Sequence, residues 1–207
     1  MNLEMNIGYH PKPRIRRQTY CKPCLKRLLI KTATFLCMLA LCSNASANNT
    51  EYRIKAAYLY QFTKFTQWPA HLFSEKDASI KICILGKNPF GTLLDNFTRK
   101  TSQQRTLTIS YLSSFKKLPN CHVIFISRSE EGRLAQILRK VGNSPILTVS
   151  DIDNFVQRGG IIGFFPKQKK VKITINVRAS RAAGAKLSSK LLEVATLVQN
   201  KKGESSQ

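Results

Sequence analysis

Residues 121–142, CHVIFISRSEEGRLAQILRKVG, decide the fold. The core of CHVIFIS is a nearly continuous apolar run, as in a strand buried on both faces. Ser127 and Glu130 have the spacing of a capping box. Leu134, Ile137, Leu138 and Val141 then fall on one helical face. Arg139 and Lys140 sit in the last turn, where cations suit the helix dipole, and Gly142 is placed to end the helix. A buried strand followed at once by an amphipathic helix is the unit from which parallel α/β sheets are built.

The same unit repeats outward. SIKICIL, residues 79–85, alternates and stops at Gly86, which predicts a strand. A short helix is expected over 90–98, after Asn88-Pro89, and another strand over 105–112. Downstream, PILTV at 145–149 predicts a strand, and Ser150 is placed to cap a short helix through Phe155 and Val156. Gly159-Gly160 turns the chain into IIGFF, and a basic loop from Pro166 to Lys170 leads into VKITIN, the signature of a hairpin. Leu187, Leu191, Val194, Ala195 and Val198 are expected to line a last helix. At the front, residues 51–66 place Ile54, Ala57, Tyr58, Phe62 and Phe65 on one helical face, and Trp68-Pro69 stops that helix. The expected architecture is a three-layer α/β domain, with a mostly parallel sheet, a late antiparallel hairpin and a C-terminal helix. There is no internal repeat and no linker, so one domain is expected over 48–199, with a disordered polar tail over 200–207.

Residues 33–47, ATFLCMLALCSNASA, give the address. Lys26, Arg27 and Lys31 precede a short apolar run, and Ala45-Ser46-Ala47 supplies small residues where a signal peptidase reads them. Cleavage is expected between Ala47 and Asn48, making 1–47 a signal peptide whose apolar core is too short to span a bilayer permanently. Leu39-Ala40-Leu41-Cys42 resembles a lipoprotein cleavage box, but Leu41 is bulky where a small residue is wanted.

The chain of 207 residues carries 34 Lys/Arg and 11 Asp/Glu. The leader holds eight of the basic and one of the acidic residues, leaving 26 against 10, a net charge of +16. Such a surface suits solubility, an anionic membrane or an acidic partner. Only Lys167, Lys169, Lys170 and Lys172 cluster, and no aromatic residues interleave with them as a stacking platform requires, so nucleic acid is not expected as a partner. Cys21 and Cys24 form a lone CxxC in the leader, which without a second pair does not define a metal site. After cleavage Cys83 and Cys121 remain. In an oxidising compartment they suggest one bridge, the alternative being two separate buried thiols.

Catalytic chemistry is missing. No GxSxG, HExxH, P-loop or GxGxxG occurs, and nothing in the sequence brings His71 and His122 together. Asp151 and Asp153 are explained by helix capping. No enzyme activity and no cofactor are therefore expected. Recognition is the alternative. Tyr52, Tyr58, Tyr60, Phe62, Phe65 and Trp68 crowd the first helix and its exit. Tyr60 and Trp68 fall off its main face, so they are either offered to a partner or covered by a helix packed on two sides. Arg178 and Arg181 follow the VKITIN strand, where an α/β sheet often presents ligand groups, though they serve equally as solvated charges.

In this order the runs resemble the YfiR family of periplasmic proteins, which includes HmsC. The matching elements are Lys55-Ala56-Ala57-Tyr58 with Phe62, Phe65 and Trp68-Pro69, Ile82-Cys83-Ile84-Leu85-Gly86 with Pro89-Phe90, residues 121–127, Leu147-Thr148-Val149-Ser150-Asp151, Gly159-Gly160, Ile175-Asn176, and Ser188-Ser189-Lys190-Leu191-Leu192. The resemblance implies a periplasmic negative regulator without catalytic activity. It would bind the periplasmic sensory domain of an inner-membrane diguanylate cyclase, lowering cyclic di-GMP and biofilm formation. It also implies relief by an OmpA-like outer-membrane lipoprotein, and a homodimer. The family's disulfide maps onto Cys83 and Cys121. A second bridge found in some relatives has no counterpart here, since 151–165 contains no cysteine. The family's late strand often reads Arg-x-Arg-Phe-Glu-Ile-Asn, whereas this chain has Lys170-Val171-Lys172-Ile173-Thr174-Ile175-Asn176, without the aromatic and the carboxylate. The alternative reading is a periplasmic small-molecule sensor acting on another membrane partner, with a pocket around Ser150, Asp151, Asn176 and Arg178.

Overall fold

The computed structural model describes residues 50–73, 78–116, 118, 120–168 and 170–198. The expected signal peptide, its cleavage between Ala47 and Asn48, and the tail over 200–207 lie outside the described residues.

The apolar runs become the centre of the sheet. Strands β2 (Ile80–Leu85), β5 (Val123–Ile126) and β6 (Leu147–Ser150) are buried almost throughout, between β4 (Arg105–Leu112) and β7 (Ile162–Lys167). These five strands are parallel in the order β4-β2-β5-β6-β7. The chain thus winds one way from β2 to β4 and the other way from β5 onward. This is a doubly wound sheet whose switch point lies between β2 and β5. Short β3 (Thr101–Ser102) pairs antiparallel with β4 at one edge. At the other, β8 (Lys170–Asn176) returns antiparallel on β7, with Ile162 opposite Ile175 and Lys167 opposite Lys170, which is the expected hairpin.

One face of the sheet packs on α1 (residues 50–65), through Ala56, Leu59 and Phe62. The other packs on α2 (Leu134–Val141), through Leu134, Ile137 and Val141, and on Ile152, Phe155 and Val156. The three layers and the mixed sheet are as the sequence predicts. Cys83 in β2 and Cys121 just before β5 form a disulfide with Cα atoms 5.9 Å apart, stitching the two strands at the switch point. Closing a loop of 38 residues stabilises by about 4 kcal/mol on the chain-entropy model.

Four local expectations are corrected. The face of α1 is rotated: Lys55, Ala56, Leu59, Phe62 and Thr63 are buried, while Ile54 and Ala57 are exposed. The reason is the buried lysine, described below. The segments at 90–98 and 150–156 form turns rather than helices, with a single 3₁₀ turn at Asp95–Phe97. Ser127 caps through its backbone carbonyl, which accepts from the Glu130 N–H at 2.9 Å, whereas the Glu130 carboxylate pairs with Arg133 at 2.7 Å. The C-terminal helix is only α4 (Ser189–Glu193), capped by the Ser188 hydroxyl, and it follows α3 (Val177–Ala182) and β9 (Lys186–Leu187). Thr196–Val198 leaves the helix as β10, parallel to β8, because β8 offers an unpaired edge and the β-branched residues favour a strand. Strand β9 pairs antiparallel with β1 (Thr66–Gln67), fastening the exit of α1 to the C-terminal segment.

Candidate functional site

The site is built around a lysine on the inner face of a helix. Lys55 is buried, and its ammonium lies 2.5 Å from Asp151 Oδ2 and 2.6 Å from Glu51 Oε1 one turn back. Asp151 follows the last residue of β6 and is only 2% exposed. A buried ammonium survives only when paired, and this pair is what lets Lys55 replace an apolar residue on the packed face. Tyr52, one turn before Lys55, donates its hydroxyl to the same Oδ2 at 2.8 Å. Its ring meets Phe90 edge-on at 5.4 Å, and the Lys55 ammonium lies 4.2 Å from the ring centre. Arg128, two residues past β5, brings its Nε to 3.7 Å from Asp151 Oδ1 and its Nη2 to 3.2 Å from Asp153.

These groups stand at the carboxyl ends of β5 and β6, where open α/β sheets bind ligands. They line a 340 Å³ cavity walled by Phe164, Phe165, Pro166 and Val171. Asp151 Oδ1 is buried without a hydrogen-bond partner among the described residues, facing Arg128 only across the longer ionic contact. Burial raises the Tyr52 hydroxyl pKa well above its ordinary value, and the Asp151 charge and hydrogen bond add to it. A phenol held protonated is a donor, not a base. Among the described residues no group of three or more His, Cys, Asp or Glu could hold a metal ion. The arrangement is suited to recognition, with a guanidinium and an open carboxylate oxygen beside an apolar wall.

The predicted residues are dispersed. Ser150 donates to the Ile126 carbonyl at 2.6 Å and accepts from the Ile152 N–H at 3.0 Å, joining β5 to the turn after β6. Asn176 caps α3 by accepting from Ala179 N–H at 2.9 Å, and donates to the Val156 carbonyl at 3.0 Å. Arg178 is exposed on α3. Because β8 runs against the parallel block, Asn176 and Arg178 are carried toward the opposite edge from Asp151. Of the pocket expected around Ser150, Asp151, Asn176 and Arg178, only Asp151 lines the cavity. Tyr60 is half-buried, stacked on Phe97 at 5.3 Å, and donates to the Thr101 carbonyl at 3.1 Å. Trp68 is buried, with its ring edge-on to His122 at 5.5 Å.

Sequence reasoning missed Glu51, Lys55, Tyr52 and Arg128 as site residues. The available signal was the spacing of Tyr52, Lys55, Ala56, Leu59, Phe62 and Thr63, which fits a packed helical face once a lysine is admitted to it.

Fold and site together define an α/β domain with a buried polar cluster at the carboxyl ends of its central strands. The chain matches the YfiR/HmsC-like family model over residues 52–196 and belongs to that family. The family is one of periplasmic regulators of cyclic di-GMP signalling that act with a membrane-bound partner. Among the described residues no helix is long and apolar enough to cross a membrane. No curated protein matches the chain. A crystal structure of a conserved domain protein from Vibrio cholerae O1 biovar El Tor is similar at 12% identity and a TM-score of 0.44. That match covers 57% of this chain and 54% of the other, so the chain spans about half the length of that structure.

Proposed function

We propose that this protein is a periplasmic negative regulator that binds the periplasmic sensory domain of an inner-membrane diguanylate cyclase. Bound, it lowers cyclic di-GMP and biofilm formation. The observation that carries this reading is family membership over nearly the whole folded domain. The Asp151 cluster supports it, since it offers recognition groups and no catalytic set. The protein acts without catalysing a reaction, as a homodimer, after export with cleavage between Ala47 and Asn48. An OmpA-like outer-membrane lipoprotein relieves the repression by sequestering it.

Physically this is linkage: the regulator must bind the inactive cyclase better than the active one. Tenfold repression requires a preference of about 1.4 kcal/mol. The test is deletion of the gene in its host, with cyclic di-GMP quantified before and after complementation. A rise on deletion, reversed by the wild-type gene, is the expected result. Unchanged cyclic di-GMP overturns the reading. Arg128→Glu, which reverses the half-exposed charge beside Asp151, is expected to complement poorly at normal protein level if this edge meets the cyclase.

A further inference from the structure

A second cleft opens at the other edge of the sheet, below the amino ends of β5 and β6. Its volume is 670 Å³, and its polar lining includes His71, Lys116, Asn120, His122, Lys140 and Ser144. No described residue lining it is acidic. Leu72, Pro145 and Ile146 supply an apolar wall. Cavities of about 300–1,000 Å³ are the ordinary size for small-molecule sites.

His122 is the informative group. It is 5% exposed, and it is held at three points. Its backbone N–H donates to the Lys81 carbonyl at 2.9 Å, its carbonyl accepts from the Leu147 N–H at 2.9 Å, and its Nδ1 accepts from the Lys81 N–H at 3.1 Å. The last bond puts the proton of the neutral ring on Nε2. That buried Nε2 has no hydrogen-bond partner among the described residues. An unsatisfied buried donor is costly, and in a native fold it calls for an explanation. Phe73 stacks on the ring at 4.8 Å and the neighbouring Cys121 is in the disulfide, so the imidazole is fixed in place. Burial, then the positive charges of Lys81 and Arg105, lower its pKa to about 4, so the ring is a neutral donor.

We infer that this cleft binds a small organic carboxylate, an apolar body carrying one anionic head. The head is taken by the His122 Nε2–H and the Lys140 and Lys116 ammonium groups at the rim, and the body lies on Leu72, Pro145 and Ile146. Cationic lining without a described acid selects the anion, and the apolar wall selects an organic one over inorganic phosphate. The site is separate from the Asp151 cluster and does not depend on the proposed partner.

The test titrates the purified protein, labelled with ¹⁵N, with benzoate, phenylacetate and octanoate, and with benzamide and octanol as neutral counterparts. Inorganic phosphate is a further arm. The expected result is a shift of the His122 Nε2 resonance on adding at least one carboxylate. That carboxylate should bind about tenfold more tightly than its neutral counterpart. Lys140→Gln, at an exposed position that leaves the fold intact, should weaken binding by about threefold or more while leaving the thermal midpoint unchanged. The inference is overturned if no carboxylate moves Nε2, if carboxylate and neutral counterpart bind alike, or if phosphate binds as well as the carboxylates. It is also overturned if Lys140→Gln binds as tightly as wild type.

Discussion

The two edges of one sheet bury titratable side chains by opposite means. At the carboxyl edge, Lys55 and Asp151 are buried as charges, each compensated by the other, with Glu51, Tyr52 and Arg128 around them. At the amino edge, His122 is buried with no acidic partner in contact among the described residues, and the ring answers by staying neutral. A group that cannot lose its charge without losing its role needs a counter-ion, whereas imidazole can shed its proton near neutral pH. The edges also differ in what fastens them: an ion pair between residues 96 apart at one, a disulfide at the other.

The sharpest way to break the comparison is to remove one charge from the pair. Asp151→Ala leaves the Lys55 ammonium buried and unpaired, apart from half-exposed Glu51, and should cost about 3–5 kcal/mol in urea unfolding. Lys55→Met with Asp151→Leu should recover most of that loss, because neither of the two buried charges is then left without the other. A double variant as unstable as the single one would show that shape, not charge, holds this edge. Next in size is the disulfide. Cys83→Ser with Cys121→Ser should lower stability by about 2–4 kcal/mol, measured by the same denaturation. The Nδ1 bond of His122 should persist in the oxidised protein and loosen in this variant, since Cys121 adjoins it.

How far this was legible in the sequence follows from the range of each interaction. The buried strands were legible, because a continuous apolar run is a local pattern, and the hairpin was legible from its alternation and turn residues. Asp151 was legible as a strand-end residue. Its partner was not: Lys55 is about a hundred positions away, and a lysine on a helix reads locally as a solvent-facing residue. The last strand was misread because Val194 and Val198 fit a helical stripe as well as a strand, and only the free edge of β8 decides between them. Trp68 and Tyr60 fall off the main face of α1, which leaves either exposure to a partner or a second covering surface, and the second holds: His122 covers Trp68, while Phe97 and Thr101 half-cover Tyr60.

The pH dependence sharpens the comparison, because the edges should fail in opposite directions. His122 binds its proton less readily when folded, with its pKa moved from 6.5 to about 4. Its contribution is therefore complete above about pH 6.5 and is lost as pH falls toward 4, lowering stability by about 1–2 kcal/mol after allowance for solvent screening. Tyr52 has its pKa raised above the ordinary 10.0, so the unfolded chain ionises first. Its contribution is complete below pH 10 and is lost as pH rises above it. Thermal midpoints across the two ranges should fall at both ends, and Tyr52→Phe should flatten only the alkaline side. A Tyr52→Phe variant that keeps the alkaline loss would assign it elsewhere.

The smallest expected effect concerns α1, which carries Lys55 at the first edge and leads into Thr66 and Trp68 near the second. If the Lys55–Asp151 pair sets its rotation, Ile54 is a surface residue despite being apolar. It is 39% exposed, whereas Leu59 is fully buried. Ile54→Lys should therefore change stability by no more than about 0.5 kcal/mol, and Leu59→Ala should cost about 2–5 kcal/mol. The alternative rotation, with Ile54 inward, requires the reverse order. The comparison extends to the ion pair itself: in Lys55→Met with Asp151→Leu, the constraint becomes purely apolar, and Ile54→Lys should stay neutral only if Leu59 and Phe62 suffice to hold the helix. A larger loss from Ile54→Lys in that background than in wild type would mean that the buried charges choose which face of α1 looks inward.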